Sequence, residues 1–533
     1  PTTGSALWPS AAAGGGLSFR PADVQWQLGA PGTAHQYVSV FRNDTTHTLS
    51  TGMTQGRISG PPDDWWSFNP ATYSEADRMW EVTGKTGVRN YFQSCGGCHF
   101  LGVTRPSDIA YTLPGGAIMS ASTETSFTGV GIQCEACHGT GRSLPETEAH
   151  GTSGVAIVRT KTALEGQVCG QCHVTGTAKQ RNYAGGTFSS ANGFTPDKKL
   201  EDYYDVGGLE FVKTSSSMTP PSIPVNDTRF YPSGHNKGMN HGYYNEWSLS
   251  AHARTLRYRD GSFWTGSPRE TCLVCHSGEG FLKSIGYGAE GPNDIGALPS
   301  KLASDTLDTE CGICHQVHSR TGEPLGLRLP AEELCGKCHS ARIAAGTEAA
   351  PTSHPRYSAK EMVAGYGLIG VPIAKRYMGE AGCADCHMPV TRSGRISHRF
   401  TPMLPGDAET WGVPAGGDSC TPCHATSSRS ELQADIDGWQ ADITAKLAVA
   451  NAAIAVAKTR PAYGYAPIQL AVSAAQANVW FVEGDASKGV HNYPYAKAGL
   501  ETAILLTKAV GCWFEGFRTT AYDPVHGASM AFG

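Results

Sequence analysis

One short motif, Cys-x-x-Cys-His, occurs eight times in this chain and constrains its fold more than any other feature. Composition alone predicts roughly 0.02 copies. The motifs use sixteen of the 17 cysteines and leave only Cys512 over, so the cysteines do not form a disulfide framework. The motif residues are Cys95, Cys98 and His99; Cys134, Cys137 and His138; Cys169, Cys172 and His173; Cys272, Cys275 and His276; Cys311, Cys314 and His315; Cys335, Cys338 and His339; Cys383, Cys386 and His387; and Cys420, Cys423 and His424.

This spacing suits covalent attachment of haem c. Two thiols three residues apart can each bond one vinyl group of a haem, and the His that follows then becomes the proximal iron ligand. Zinc sites need four ligands from partner pairs and do not require a His after every second Cys. Redox-active thiol pairs would not recur eight times. We therefore predict eight covalently bound haem c groups, whose apolar surfaces supply much of the core of a chain that is mainly loop and helix.

Eleven of the 19 histidines lie outside the motifs. For an arbitrary histidine a surface or core position without metal is the usual role, but a protein whose eight irons each bind two histidines needs eight more ligands. We expect His252 to lie on a helix that begins near Asn245. We expect His318 to follow His315 by one helical turn, so that it would serve a neighbouring haem. The predicted distal ligands are His150, His235, His241, His252, His318, His354, His398 and His491, with His35, His47 and His526 as weaker candidates.

The motifs divide the chain into three predicted regions. Residues 1–88 hold no motif, are rich in Gly, Thr, Ser and Pro, and contain alternating stretches such as QYVSVF, which indicates a loop- and β-rich cap. Residues 89–427 form the octahaem core, with a polar surface insertion at about 186–233. Residues 428–533 carry apolar side chains at spacings of three and four, which predicts a three-helix bundle packed on the haem core.

The predicted bundle has boundaries that the sequence marks. The first helix extends from about Ser430 to Lys458, and the segment RPAYGYAP ends it. A second helix reaches about Glu483, and a third contains Leu500. We expect Cys512 to lie past this bundle. A lone cysteine is most often a buried, small apolar residue, with an intermolecular disulfide as the alternative.

Charge and hydropathy limit the partners. The 42 basic and 47 acidic residues give a net charge of −5, which provides no basic field for nucleic acid.

The most apolar run, 500–514, is interrupted by Glu501 and Lys508, so no transmembrane segment is predicted. The chain opens PTTGSALWPS, without the features of a signal peptide. Because haem is joined to thiols outside the cytoplasm in prokaryotes, we expect a mature, exported protein, either periplasmic, extracellular or at the cell surface.

Several segments resemble the large multihaem cytochrome c superfamily. They are CEACHGTG, NEWSLSAHAR ahead of CLVCH, CGICHQVH, and CADCHMP followed by SGRISH. The resemblance covers roughly residues 90 to 510. The superfamily includes pentahaem nitrite reductases, octahaem hydroxylamine oxidoreductases and tetrathionate reductases, and extracellular electron-transfer cytochromes. The nitrite and tetrathionate reductases it resembles have a catalytic haem bound by Lys, often from Cys-x-x-Cys-Lys. That motif is absent here, and all eight motifs end in His.

Two functions fit these observations. We favour an electron conduit with mostly bis-His haems, whose partners would be redox proteins, extracellular acceptors or, by resemblance, copies of itself in a filament. The alternative is an octahaem oxidoreductase that acts on nitrite, hydroxylamine or tetrathionate at one open haem. The hydroxylamine oxidoreductases it resembles have a catalytic haem linked to Tyr. The candidate pocket residues are Tyr203, Tyr204, Tyr243, Tyr244 and Lys237.

Overall fold

Helices and loops dominate the part of the chain that the computed structural model describes. Side chains are described for residues 132, 136–137, 164–174, 199–202, 242–256, 272–287, 306–318, 323–351, 357–389, 396–409 and 417–508. Within these residues no helix is long and apolar enough to cross a membrane.

The described helices are short around the motifs and long after them. Four 3-10 turns accompany them, at Leu200–Asp202, His252–Arg254, Pro324–Gly326 and Pro461–Gly464. In chain order, α1 to α12 are Gly166–His173, Tyr243–Leu249, Glu270–His276, Gly278–Ser284, Cys311–Cys314, Ala331–Gly336, Ala359–Ala364, Cys383–His387, Pro405–Thr410, Arg429–Thr459, Ala466–Asp485 and Tyr493–Thr519.

Backbone strands occur in the first 205 residues and pair in antiparallel fashion. Because no side chain of residues 1–88 is among those described, the predicted cap lies outside the described residues, as does most of the predicted insertion. The strands β1 to β15 are Leu17–Phe19, Trp26–Leu28, Gln36–Phe41, Asp64–Phe68, Thr72–Ser74, Met79–Val82, Val88–Asn90, Phe100–Leu101, Ile109–Thr112, Ile118–Ala121, Gly129–Val130, Ala149–His150, Val155–Ala156, Thr177–Ala178 and Tyr204–Asp205.

The chain forms two compact units. The first consists of residues 1–223, 227–268 and 277–313, and the second of residues 224–226, 269–276 and 314–533. In the first unit, Trp247 of α2 is buried and its Nε1 donates to the carbonyl of Thr309 at 2.8 Å. The buried Glu310 accepts the N–H of Gly166, where α1 begins, at 2.7 Å. Buried side chains thus satisfy backbone groups that a loop-rich chain would leave unpaired.

The predicted C-terminal helices of the second unit are confirmed. Ser428 begins α10 with a capping box, because its Oγ accepts the N–H of Glu431 at 3.2 Å and its own N–H donates to Glu431 Oε2 at 2.8 Å. Pro461 follows the end of α10. α11 ends at Asp485, and the next residue, Ala486, has a left-handed φ of 60°. α12 continues through Cys512, which was expected to lie past the bundle. The three helices pack on one another around buried Ile443, Ala450, Ile454, Val472, Val479, Phe481, Ala496, Leu500 and Ala503.

A segment between the sixth and seventh motifs packs on these helices. Met362 and Leu368 are fully buried in the same apolar cluster. The buried Asn478 of α11 accepts the N–H of Ile369 at 2.7 Å and donates to its carbonyl at 2.9 Å. Tyr495 Oη accepts the N–H of Leu368 at 3.0 Å. The bundle therefore fixes the part of the chain that joins two haem motifs.

The helix predicted to carry His252 ends before it. α2 ends at Leu249, and His252 opens the separate 3-10 turn. Ser250 accounts for the break, because its Oγ donates to the carbonyl of Trp247 at 2.7 Å and accepts the N–H of His252 at 3.2 Å. Such local side-chain hydrogen bonds compete with helical ones.

The prediction that His318 lies one helical turn beyond His315 is also wrong. α5 ends at Cys314, whose carbonyl accepts the N–H of Arg328 at 2.9 Å. His315 then forms an antiparallel bridge with Leu327. This pairing draws the chain out of the helix, and His318 is exposed.

Candidate haem sites

The third to eighth motifs lie among the described residues, together with Cys137 of the second. Of the predicted distal ligands, His252, His318, His398 and His491 have described side chains. The other predicted site residues lie outside the described side chains. They are Cys95, Cys98, His99, Cys134, His138, His150, His235, His241 and His354.

Each described motif forms a helical turn, which in the fifth motif ends at Cys314, one residue before the histidine. In the sixth motif the N–H groups of Cys338 and His339 both donate to the carbonyl of Cys335, at 3.2 and 3.0 Å, and the eighth motif repeats this turn with the same two distances. Positions i, i+3 and i+4 share one side of a turn. Two thiols and one imidazole are thereby presented together, as attachment to one haem requires.

The thiols of different motifs lie beside one another. Every motif cysteine with a described side chain is free of disulfide bonds. In the first unit, Gly312 of the fifth motif donates its N–H to the carbonyl of Leu164 at 3.3 Å, and a Cβ on Gly312 would lie 2.6 Å from Leu164 Cδ2. A hydrogen bond from Cys311 lowers the pKa of Cys169. The third and fifth motifs are therefore neighbours.

In the second unit the fourth and sixth motifs meet. Cys275 Sγ lies 3.9 Å from the carbonyl oxygen of Lys337, and Arg342 Nη2 donates to Cys275 Sγ at 3.4 Å. A hydrogen bond from Cys338 lowers the pKa of Cys275 to about 6 and correspondingly raises the pKa of Cys338. The second thiols of these two motifs are therefore neighbours.

The sixth, seventh and eighth motifs continue this series. Helices α6 and α8 pack together, and a hydrogen bond from Cys335 lowers the pKa of Cys383 to about 7. Arg376 forms an ion pair with Glu332 beside them. Ser419, just before the eighth motif, donates from Oγ to the carbonyl of Cys386 at 2.7 Å. Motifs four, six, seven and eight therefore form an unbroken series of neighbours.

Two of the predicted distal histidines lie opposite proximal ones. The ring centroids of His315 and His398 are 6.2 Å apart, with planes inclined by 25°. Those of His387 and His491 are 6.0 Å apart, with planes inclined by 50°. Each pair joins the proximal residue of one motif to a histidine from a later part of the chain.

These separations match the spacing that a shared iron demands. A metal–imidazole bond is about 2.0 Å long and the ring centroid lies about 1.2 Å beyond the nitrogen, so two imidazoles on opposite sides of one iron have centroids about 6.4 Å apart. The donor set also fits, because two neutral imidazoles are suitable axial ligands for haem iron. The residues present therefore fit a covalently attached, bis-His haem at the fifth and seventh motifs.

In each of the four histidines of these two pairs, the ring Nδ1 forms a hydrogen bond. His315 donates to the carbonyl of Leu325 at 3.0 Å, His387 to that of Phe400 at 3.2 Å, and His398 to that of Ile396 at 3.3 Å. His491 instead donates to Asp485 Oδ1 at 2.5 Å. Such contacts select the tautomer whose Nε2 lone pair faces a metal and orient the ring.

Sequence reasoning missed Asp485. A sequence signal for this contact was present. An acidic residue six positions before a candidate ligand can contact that ligand when a turn lies between them. His339 of the sixth motif lies close to the same group of side chains. Burial lowers the pKa of His339, and the neighbouring His387 and His491 lower it further.

Two of the tyrosines considered as pocket residues pack around the third motif. Tyr243 lies with its ring centroid 6.0 Å from that of His173, and the adjacent Gly242 donates its N–H to the carbonyl of His173 at 3.1 Å. Tyr243 is thus beside the proximal histidine. Tyr244 is buried, and a Cβ on Gly170 would lie 2.6 Å from its Cδ2. Burial raises the pKa of Tyr244, so this phenol stays protonated.

The chain has a multihaem c-type cytochrome fold. It is similar to the outer cell wall cytochrome OcwA, with a TM-score of 0.63 and 28% identity over 92% of this chain and 89% of that one. An undecahaem cytochrome from the S-layer of Carboxydothermus ferrireducens gives 0.47 and 20%, over 92% and 63%. A cytochrome c nitrite reductase from Desulfovibrio desulfuricans gives 0.31 and 17%, over 50% and 70%. No protein-family model matches the chain, and a search of curated proteins finds no match.

Proposed function

We propose that this chain is an exported octahaem c-type cytochrome that carries electrons along haems whose irons are mostly bound by two histidines. Its fold and its repeated motif support covalent haem c as the cofactor. Haem supplies reversible one-electron chemistry, and two axial histidines leave no position on the iron for a substrate. The protein's part is to hold, space and tune the haems.

The two histidine pairs carry the proposal. His315 and His398 would hold the haem of the fifth motif, and His387 and His491 that of the seventh. Both pairs have the centroid spacing of ligands that share one iron. His387 also donates to the carbonyl of Phe400, two residues from His398, so the ligands of the fifth and seventh haems lie on adjoining segments.

The contacts between motifs support a route for electrons. The thiols of the fourth and sixth motifs are neighbours, as are those of the sixth and seventh, and Ser419 joins the seventh motif to the eighth. Rings attached at adjoining thiols are held side by side by the fold itself. We propose the order four, six, seven, eight, with the fifth haem beside the seventh.

Location and partners follow from the similarity to a cell-wall cytochrome. We propose that the chain acts outside the cytoplasm, at the cell surface, and that it exchanges electrons with redox proteins or extracellular acceptors. Neither the residues with described side chains nor the comparisons offer support for assembly into a filament, and the proposal concerns the single chain.

A mass and turnover measurement tests the proposal. The intact, denatured holoprotein should carry the mass of eight haems, and the reduced protein should be reoxidised by soluble and insoluble electron acceptors. The octahaem oxidoreductase is the alternative. Multiple-turnover consumption of nitrite, hydroxylamine or tetrathionate by the reduced protein would favour that enzyme, and a smaller haem mass would overturn the octahaem proposal.

A further inference from the structure

Asp485 distinguishes the His387–His491 pair from the other pair. Three of the four imidazoles donate from Nδ1 to main-chain carbonyls, whereas His491 donates to a carboxylate at 2.5 Å. The side chain of Asp485 has 0% exposure. One candidate iron ligand therefore carries a buried anion on its far nitrogen.

The turn between α11 and α12 is built to make this contact. Ala486, Lys488 and Gly489 all have left-handed backbone, with φ of 60°, 53° and 97°, which reverses the chain within a few residues. Glycine is required at Gly489, because a Cβ there would lie 2.8 Å from Ile443 Cγ1. The reversal brings the last residue of one helix against a histidine that precedes the next.

Ser487 completes the arrangement. Its N–H donates to Asp485 Oδ2 at 3.3 Å, and its hydroxyl also donates to that oxygen. The same hydroxyl accepts the N–H of His491 at 3.2 Å. These bonds fix the orientation of the Asp485 carboxylate, so that its Oδ1 faces the imidazole of His491.

The position is unfavourable for an acid in two respects. Asp485 ends α11, where the helix macrodipole disfavours negative charge, and burial of a carboxylate costs free energy unless it is paired. The imidazole of His491 would gain positive charge from an iron bound at Nε2. Such a partner would offset both the macrodipole cost and the burial cost of the carboxylate. Hydrogen bonding of a carboxylate to the second nitrogen makes a histidine a stronger electron donor to the metal.

We propose that Asp485 is a positioning residue that lowers the reduction potential of the haem held by His387 and His491, relative to the same haem with an uncharged acceptor on His491. This inference rests on the proposed function, since it assumes that His491 binds iron. Electron donation through His491 and the negative charge of Asp485 both favour the ferric state. The seventh haem would thus be harder to reduce than its ligand type alone implies.

The test is an Asp485→Asn variant of the full holoprotein, titrated potentiometrically and followed by optical and paramagnetic resonance spectra. Asparagine can still accept from Nδ1, so the ring keeps its place while the charge is lost. We expect one midpoint potential to move upward and one low-spin signal to change its largest g value, with that haem still low-spin. Glu483→Gln is the matched control, because it removes an exposed acid of the same helix that contacts Asn451.

Coincident titration curves for Asp485→Asn and the wild type would overturn the inference, and so would an equal shift in Glu483→Gln. If Asp485→Asn does not fold, Ser487→Ala should move the same potential upward by less, because it loosens the carboxylate without removing it.

His491→Ala separates the two proposals. A new high-spin signal of one haem confirms His491 as a ligand, whereas its absence overturns the ligand pairing itself.

Discussion

His398 lies opposite His315, with ring centroids 6.2 Å apart, although it follows the seventh motif and His315 belongs to the fifth. If both bind one iron, His398→Ala should leave that iron with one protein ligand. We expect a high-spin ferric signal of about one haem, measured by electron paramagnetic resonance. Thr401→Ala, at an exposed position on the same segment, should leave the spectrum unchanged. A wholly low-spin spectrum for His398→Ala would refute the pairing.

The hydrogen bonds between Asn478 and Ile369 predict a stability effect. Asn478→Ala leaves both backbone groups of Ile369 without their partner, which should lower the free energy of unfolding by about 2–3 kcal/mol. Chemical denaturation of the holoprotein, followed by far-ultraviolet circular dichroism, measures the change. Asn451→Ala, an exposed position on α10, should change it by less than about 0.5 kcal/mol. Equal effects of the two substitutions would contradict this account of the interface.

The buried Asp418 predicts a dependence on pH. Burial alone would raise the pKa of Asp418, but hydrogen bonds from Thr421, Cys420 and Arg429 outweigh it and lower the pKa. A carboxyl group whose pKa is depressed by folding stabilises the fold above its unfolded pKa, and that stability is lost as the pH falls through the folded pKa. Unfolding measured between neutral and acid pH should therefore show a loss on acidification.

Asp418→Asn should reduce stability at neutral pH and flatten its dependence on acid pH. Asp435→Asn, at an exposed position of α10, should leave both unchanged and serves as the control. An unaltered acid dependence in Asp418→Asn would show that other groups are responsible.

Two glycines predict changes of opposite sign. A Cβ on Gly312 would lie 2.9 Å from the main-chain Cα of Leu164, which cannot move aside easily, so Gly312→Ala should destabilise the protein by about 1–3 kcal/mol. Gly438 lies inside α10 with no neighbouring atom within 4 Å of its Cβ position. Gly438→Ala should stabilise the protein by about 0.5–1 kcal/mol. Thermal unfolding of the two holoprotein variants measures both, and the same sign for both would contradict the close approach at Leu164.

What could be predicted from the sequence depended on the range of the interactions. The motifs are local, so their chemistry could be inferred from spacing alone. Helices α10 to α12 were also predictable, because their apolar periodicity continues over many turns. His318 and His252 were misplaced because a bridge to Leu327 and the side chain of Ser250, respectively, outweighed helical periodicity.

The long-range pairings could not be predicted in the same way. Nothing local indicates that His398 faces His315 or that His491 faces His387, since both contacts depend on how the bundle and the motif segments fold together. Asp485 was missed for a related reason. Its contact with His491 requires the left-handed residues of the intervening turn. Of these residues only Gly489 is of a type that favours a positive φ, so the sequence gives little indication of the turn.

The paramagnetic resonance spectrum of the fully oxidised, full-length protein tests the central claim most directly. If the chain is an electron conduit in which the described pairs are typical, the ferric signals should integrate to eight haems and be low-spin. A high-spin signal that integrates to about one haem in eight would contradict the pure conduit and favour an enzyme with one open iron.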